Sequence, residues 1–92
     1  MLGHMRHATE KDLDLVDGLL AELRKLPQLR ERKRGYFSVG SKAFIHFHED
    51  AGDMYADVRL TNEFERLRVT RQSEQADLVA RVRTVLGLRE DG

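Results

Sequence analysis

The sequence predicts an α+β fold, a two-layer α/β sandwich in the order α-β-β-β-β-α, with a four-stranded antiparallel meander and both helices on one face. Three observations carry this. Near each end of the chain, apolar residues recur every three or four positions, the spacing of a helix with one buried stripe. Between those segments the apolar period drops to two, as in strands with one buried side. The strand-like segments are joined by turn residues alone, too few for the crossover that parallel strands need.

The first helix opens at Thr9, an N-cap residue with acidic Asp12 three positions on. Leu13, Val16, Leu19, Leu20, Leu23 and Leu26 form its stripe, and Leu15 falls outside it. Pro27 stops the helix, because the residue before a proline is pushed from helical angles, so the expected span is 10–25. A basic connection follows, 27–35. Strands are then expected in "YFSV", "AFIHFH", "MYADVRL" and "FERLRV", separated by "GSK", "EDAGD" and "TNE". Gly52 is expected to take positive φ in the middle turn. The last helix starts near Ser73 with Glu74 and Asp77 in its first turn, and Leu78, Val79, Val82, Val85 and Leu86 make its stripe. Gly87 suits its C-terminal cap, leaving 88–92 as a frayed tail. Residues 1–8 read as a flexible N-terminus or tag remnant, since "GHM" at 3–5 matches a cleavage scar.

Ninety-two residues suggest one domain, 1–92, with one modest core. Composition, 40% hydrophobic and 35% charged, fits a folded soluble chain. No apolar run approaches the roughly 18 residues of a membrane span, and no secretory signal is visible. Without cysteine there are no disulfides or thiolate metal sites, and a reducing cytoplasm is the expected location. Sixteen basic residues balance sixteen acidic ones, so partner preference must come from patches. Six basic residues between Arg24 and Arg34 face only Glu31, whereas Glu10, Asp12, Asp14, Asp17 and Glu22 face only Lys11.

With both helices on one side, the other sheet face stays open to water. Alternation places Tyr36, Ser38, Phe44, His46, His48, Tyr55, Asp57, Arg59, Arg66 and Arg68 on it. Matching the greasy sides of the central hairpin pairs Phe47 with Ala56 and Ile45 with Val58, which sets His46 across from Asp57 and His48 across from Tyr55; a slip of two residues sets His48 against Asp57 instead. His46 and His48 then stand about 7 Å apart beside Asp57. Two imidazoles and a carboxylate are a donor set for a divalent metal. They are equally a cross-strand His–Asp pair worth about 0.2–1 kcal/mol. Such a pair favours the charged imidazole near neutral pH, so partner binding is expected to weaken as pH rises.

Catalysis finds little support. Ser38, Ser41 and Ser73 have no base nearby in sequence, no glycine-rich loop precedes a helix, and a flat face lacks a cleft. The expectation is a non-catalytic module without a cofactor. Binding fits better: Tyr36, Phe44 and Tyr55 offer aromatic surface among Arg59, Arg66 and Arg68, with Arg30, Arg32, Lys33 and Arg34 at the rim. Such a surface stacks bases and neutralises phosphates, or anchors a protein partner. Four basic side chains on duplex phosphates would give a log–log salt slope of about −3.6.

"LP" at Leu26 and Pro27, "FSVGSKAF" at Phe37 to Phe44, "ADVRL" at Ala56 to Leu60 and the closing helix resemble the small MmcQ/YjbR-like family, whose fold is related to the bacterial frataxins. The resemblance implies an α-sheet-α fold and a DNA-binding label. The chain departs from that family in a short stretch after Leu60 and in having no tryptophan. The frataxin relation implies iron held by first-helix acids, for which Glu10, Asp14 and Asp17 share one helical flank.

Overall fold

The computed structural model describes residues 6–91, with side chains described for 6–87. The "GHM" stretch and Gly92 lie outside the described residues. In chain order the elements are β1 (Arg6–His7), α1 (Glu10–Asp14), α2 (Asp17–Arg24), β2 (Arg30–Lys33), β3 (Tyr36–Val39), β4 (Lys42–Asp50), β5 (Asp53–Val58), β6 (Glu65–Arg68) and α3 (Gln72–Asp91).

The fold is α+β, with the helices packed on one face of an antiparallel sheet. Leu13, Val16, Leu19, Leu20 and Leu23 meet Leu78, Val82 and Leu86, and together they cover Phe37, Ile45, Phe47, Met54, Ala56 and Val58 in one core cluster. Burying each large side chain contributes about 1.5–3 kcal/mol, which makes this layer the main source of stability. None of the described helices is long and apolar enough to cross a membrane.

All four expected strands are present as β3 to β6, but the sheet has six strands. One addition is β2, in the segment expected to be a connection. It pairs antiparallel with β3, making the path β2-β3-β4-β5-β6. Its sequence, RERK, lacks the greasy alternation of a half-buried strand because it lies at an edge, where charged side chains also discourage pairing with another chain. The other addition is β1, which pairs with β4 through Arg6–Glu49 and His7–His48. Residues 6–8 are therefore part of the sheet edge, not a loose terminus, and Ala8 N–H donates to the Phe47 carbonyl at 3.2 Å. β1 and β3 share one edge of β4, since β3 covers only Lys42 to Ile45.

The expected helix 10–25 is interrupted. Thr9 caps α1 through a reciprocal box with Asp12. At Leu15 and Val16 the backbone N–H groups donate three residues back, to Asp12 and Leu13, before α2 begins. The stripe survives this break, because Leu13, Val16, Leu19, Leu20 and Leu23 are all buried while Leu15 is 68% exposed. The last helix begins one residue before Ser73, which therefore lies inside it and not at its cap, and Glu74 reaches back to accept from the Arg71 N–H at 2.9 Å. Gly87 does not end it. The helix runs to Asp91, so the expected frayed tail is helical through that residue.

The strongest departure lies in β4. Between Phe37–Ile45 and Ser38–Ala43 the pairing shifts, leaving Phe44 as an extra residue in a β-bulge. Two consecutive side chains, Phe44 and Ile45, turn to the core, and Ala43 is exposed instead. Phe44, expected on the open face, is 1% exposed and belongs to the core cluster. Beyond the bulge the alternation holds, and the β4–β5 register is the one the greasy sides require: Ile45–Val58, His46–Asp57, Phe47–Ala56 and His48–Tyr55. The turn that closes this hairpin has positive φ at both Ala51 and Gly52, as two-residue loops with matching twist require.

Candidate functional site

Alternation after the bulge places His46 and His48 on the open face, and β5 and β6 bring Asp57 and Arg66 beside them. Asp57 is the anchor. Arg66 donates to it twice, Nε to Oδ1 at 2.7 Å and Nη2 to Oδ2 at 2.8 Å. His48 Nε2 lies 3.0 Å from the same Oδ2, and also 3.0 Å from Nδ1 of His46. Although His46 is the direct cross-strand neighbour of Asp57, the ring that touches the carboxylate is that of His48, on the diagonal. Both His48 and Asp57 are buried, at 8% exposure each.

Burial pushes the Asp57 carboxyl up, but the Arg66 hydrogen bonds and charge outweigh this and hold it below its ordinary value. Its partner Arg66 is raised, first by the hydrogen bond to Asp57. For His46 the dominant influence is burial, which lowers its pKa and favours the neutral ring, against the opposing pull of Asp57. At His46, burial thus works against the charged imidazole expected beside Asp57.

The third imidazole of the cluster was not among the expected residues. His7, on β1, stacks on His48 with ring centres 4.8 Å apart and lies 6.2 Å from His46. One ring nitrogen from each of His7, His46 and His48 falls within 4.8 Å of the others. Nothing in the local sequence around His7 marks it, because its position depends on which edge of β4 the two-residue strand occupies.

Around His46 the rings form a row. Tyr36 meets it edge to face at 5.4 Å and Phe64 at 5.2 Å. A cation caps each end, with Lys33 Nζ 5.0 Å from the Tyr36 ring centre and the Arg59 guanidinium 4.3 Å from that of Phe64. Arg59 is further fixed by donating to the carbonyls of Ala43 and Asn62. Phe64, 39% exposed, was missed although the alternation that assigns Arg66 and Arg68 to this face assigns it too.

The other expected residues are placed less centrally. Tyr55 is partly exposed across from His48 and Arg68. Arg68 turns to Asp53 and Glu74, at 3.2 and 3.7 Å. Ser38 is buried and accepts from Arg32 Nε at 3.0 Å. Among the basic rim, Arg34 points away to the first helices, where it binds Glu10, Asp14 and Asp17 at 2.7, 2.8 and 3.2 Å. These are the acids that the frataxin relation would give to iron, and a guanidinium already sits among them. The hydrogen bond to Glu10 leads in raising the Arg34 pKa. Among the described residues, Arg30, Arg32, Lys33 and Arg59 make no ion pair.

A cleft of about 110 Å³ opens where β1 and β3 leave the β4 edge uncovered, lined by His7, Ala8, Leu13, Lys33, Arg34, Gly35, Tyr36 and Phe47. It adjoins the imidazole cluster through His7 and the ring row through Tyr36.

No family model, curated protein or solved structure matches this chain. The comparisons neither strengthen nor weaken the resemblance to the MmcQ/YjbR-like family, which rests on the short motifs quoted above.

Proposed function

We propose that this protein is a non-catalytic binding module that takes single-stranded nucleic acid across the open face of its sheet. The observation that carries this reading is the row Lys33–Tyr36–His46–Phe64–Arg59, three rings in contact with a cation at each end. Aromatic side chains on an open sheet stack bases without sequence preference, and each stacked base contributes about 1–3 kcal/mol. Arg30, Arg32, Lys33 and Arg59 are among the described cations free of ion pairs, and they supply the phosphate contacts.

The experiment is fluorescence anisotropy of a labelled oligonucleotide titrated with protein over a salt series. Four phosphate contacts on a single strand give a slope of about −2.8 in log affinity against log salt. Phe64→Ala and Tyr36→Ala each weaken binding about 5- to 100-fold, in line with loss of one stacking partner. Absence of binding at low salt removes this reading.

A protein partner is the second reading, favoured by the neutralisation of Arg66 and Arg68 by Asp57, Asp53 and Glu74. Tyr and Arg on a surface of low net charge suit a protein contact. A complex that survives high salt and still requires Phe64 would select it.

A further inference from the structure

The geometry points to a binding site for one borderline divalent transition ion, Zn²⁺ first among them, held by the imidazoles of His7, His46 and His48 beside the ring row. It is a separate claim from the nucleic-acid reading.

Zinc binds imidazole nitrogen at about 2.0–2.1 Å, so nitrogens at two corners of a tetrahedral site lie about 3.4 Å apart. Nδ1 of His46 and Nε2 of His48 are already 3.0 Å apart, and one ring nitrogen from each of the three histidines lies within 4.8 Å of the others. Closing the set requires a movement of about 1 Å or slightly more, mostly by His7. That ring can make it: it is exposed and sits on a two-residue strand at the sheet edge, outside the core cluster.

The surroundings suit a dication. Asp57 Oδ2, 3.0 Å from His48 Nε2, places a carboxylate beside the ligand nitrogens, and Arg66 holds that carboxylate in place while offsetting part of its charge. The nearest cation on β1, Arg6, is already paired with Asp12 and Glu49 at 3.1 Å each. A set of three imidazoles without thiolate selects Zn²⁺, Ni²⁺ or Cu²⁺ over Mg²⁺ and Ca²⁺, which want oxygen donors. Three protein ligands leave a fourth position at the open face for water. His7 takes the third-ligand place that the sequence suggested for Asp57, whose contact is with His48 Nε2, the ligating nitrogen itself, and is given up when the ion binds.

The test is calorimetric titration of the full chain with Zn²⁺ near neutral pH, with Mg²⁺ as control and no nucleic acid present. One Zn²⁺ per chain is expected, with no heat from Mg²⁺. His7→Ala, His46→Ala and His48→Ala should each weaken binding roughly tenfold or more. Because His7 lies outside the core, His7→Ala should keep the metal-free melting temperature while losing the Zn²⁺-induced rise, which separates ligand loss from unfolding. Either no stoichiometric binding or an affinity unchanged in His7→Ala would overturn the site.

Discussion

Arg66 grips both oxygens of Asp57 with the Nε–Nη2 edge of its guanidinium, at 2.7 and 2.8 Å, although Arg66 itself is half exposed and Asp57 is buried. The pair fixes the one carboxylate that also touches His48. Removing the arginine strands a buried acceptor. Arg66→Ala should cost about 1–3 kcal/mol in urea denaturation, more than an exposed ion pair would. Asp57→Asn with Arg66→Ala should lose less than the sum of the two single changes, because the buried charge is removed with its partner. Strict additivity would show that the two residues do not act as a unit.

The bulge in β4 makes neighbouring residues opposite in character. Phe44→Ala should destabilise by about 3–5 kcal/mol, the cost of a core cavity left by an aromatic ring. Ala43→Lys should shift stability by no more than about 0.5 kcal/mol, since Ala43 is exposed. Simple alternation would place Ala43 on the core side and Phe44 in water, so the two melting temperatures decide between the registers.

Two turns differ in what they tolerate. Gly35 has φ of +80°, and a Cβ there would lie 2.8 Å from Leu13 Cδ2, inside the core. Gly35→Ala should therefore cost about 1–2 kcal/mol, from left-handed backbone strain and displacement of Leu13. Ala51 already carries φ of +53° in a turn that favours asparagine before glycine. Ala51→Asn should raise stability by up to about 1 kcal/mol, measured as a higher urea midpoint.

Acid should weaken the fold through its held carboxylates, Asp12 and Glu31 among them. The Thr9 backbone N–H leads in holding Asp12 below its ordinary 3.8, and hydrogen bonding from Arg24 leads in holding Glu31 below 4.5. A lowered folded pKa means the unfolded chain binds more protons, so this stability is present above the unfolded values and is lost as pH falls through the folded ones. The urea midpoint should stay level from neutral pH to about 5 as far as these two groups go, then drop. Arg24→Ala should make that drop shallower by releasing Glu31. An equally steep drop in the variant would remove Glu31 from the account.

Much of this was legible in the chain. The period of two set His46 and His48 on one side of β4, and the demand that Ile45, Phe47, Ala56 and Val58 share a core put a histidine against Asp57, which the structure pairs with His46. The helical stripes named most of the core, and the break after Asp14 left that stripe intact. Phe64 was within reach of the same alternation. The edge strands were not, because β1 and β2 carry no greasy alternation and owe their place to the open backbone groups of β4 and β3.

What the sequence by itself determined is therefore local: which residues periodicity turns inward, and which it leaves facing water. That follows from the backbone repeat, which every short segment carries on its own. Only the tertiary structure decided that His7 joins His46 and His48, that Arg34 goes to Glu10, Asp14 and Asp17, and that Phe44 is core. Each of these depends on where distant segments meet or where a strand gains an unpaired residue, and packing of the whole core sets that, not any one segment's pattern.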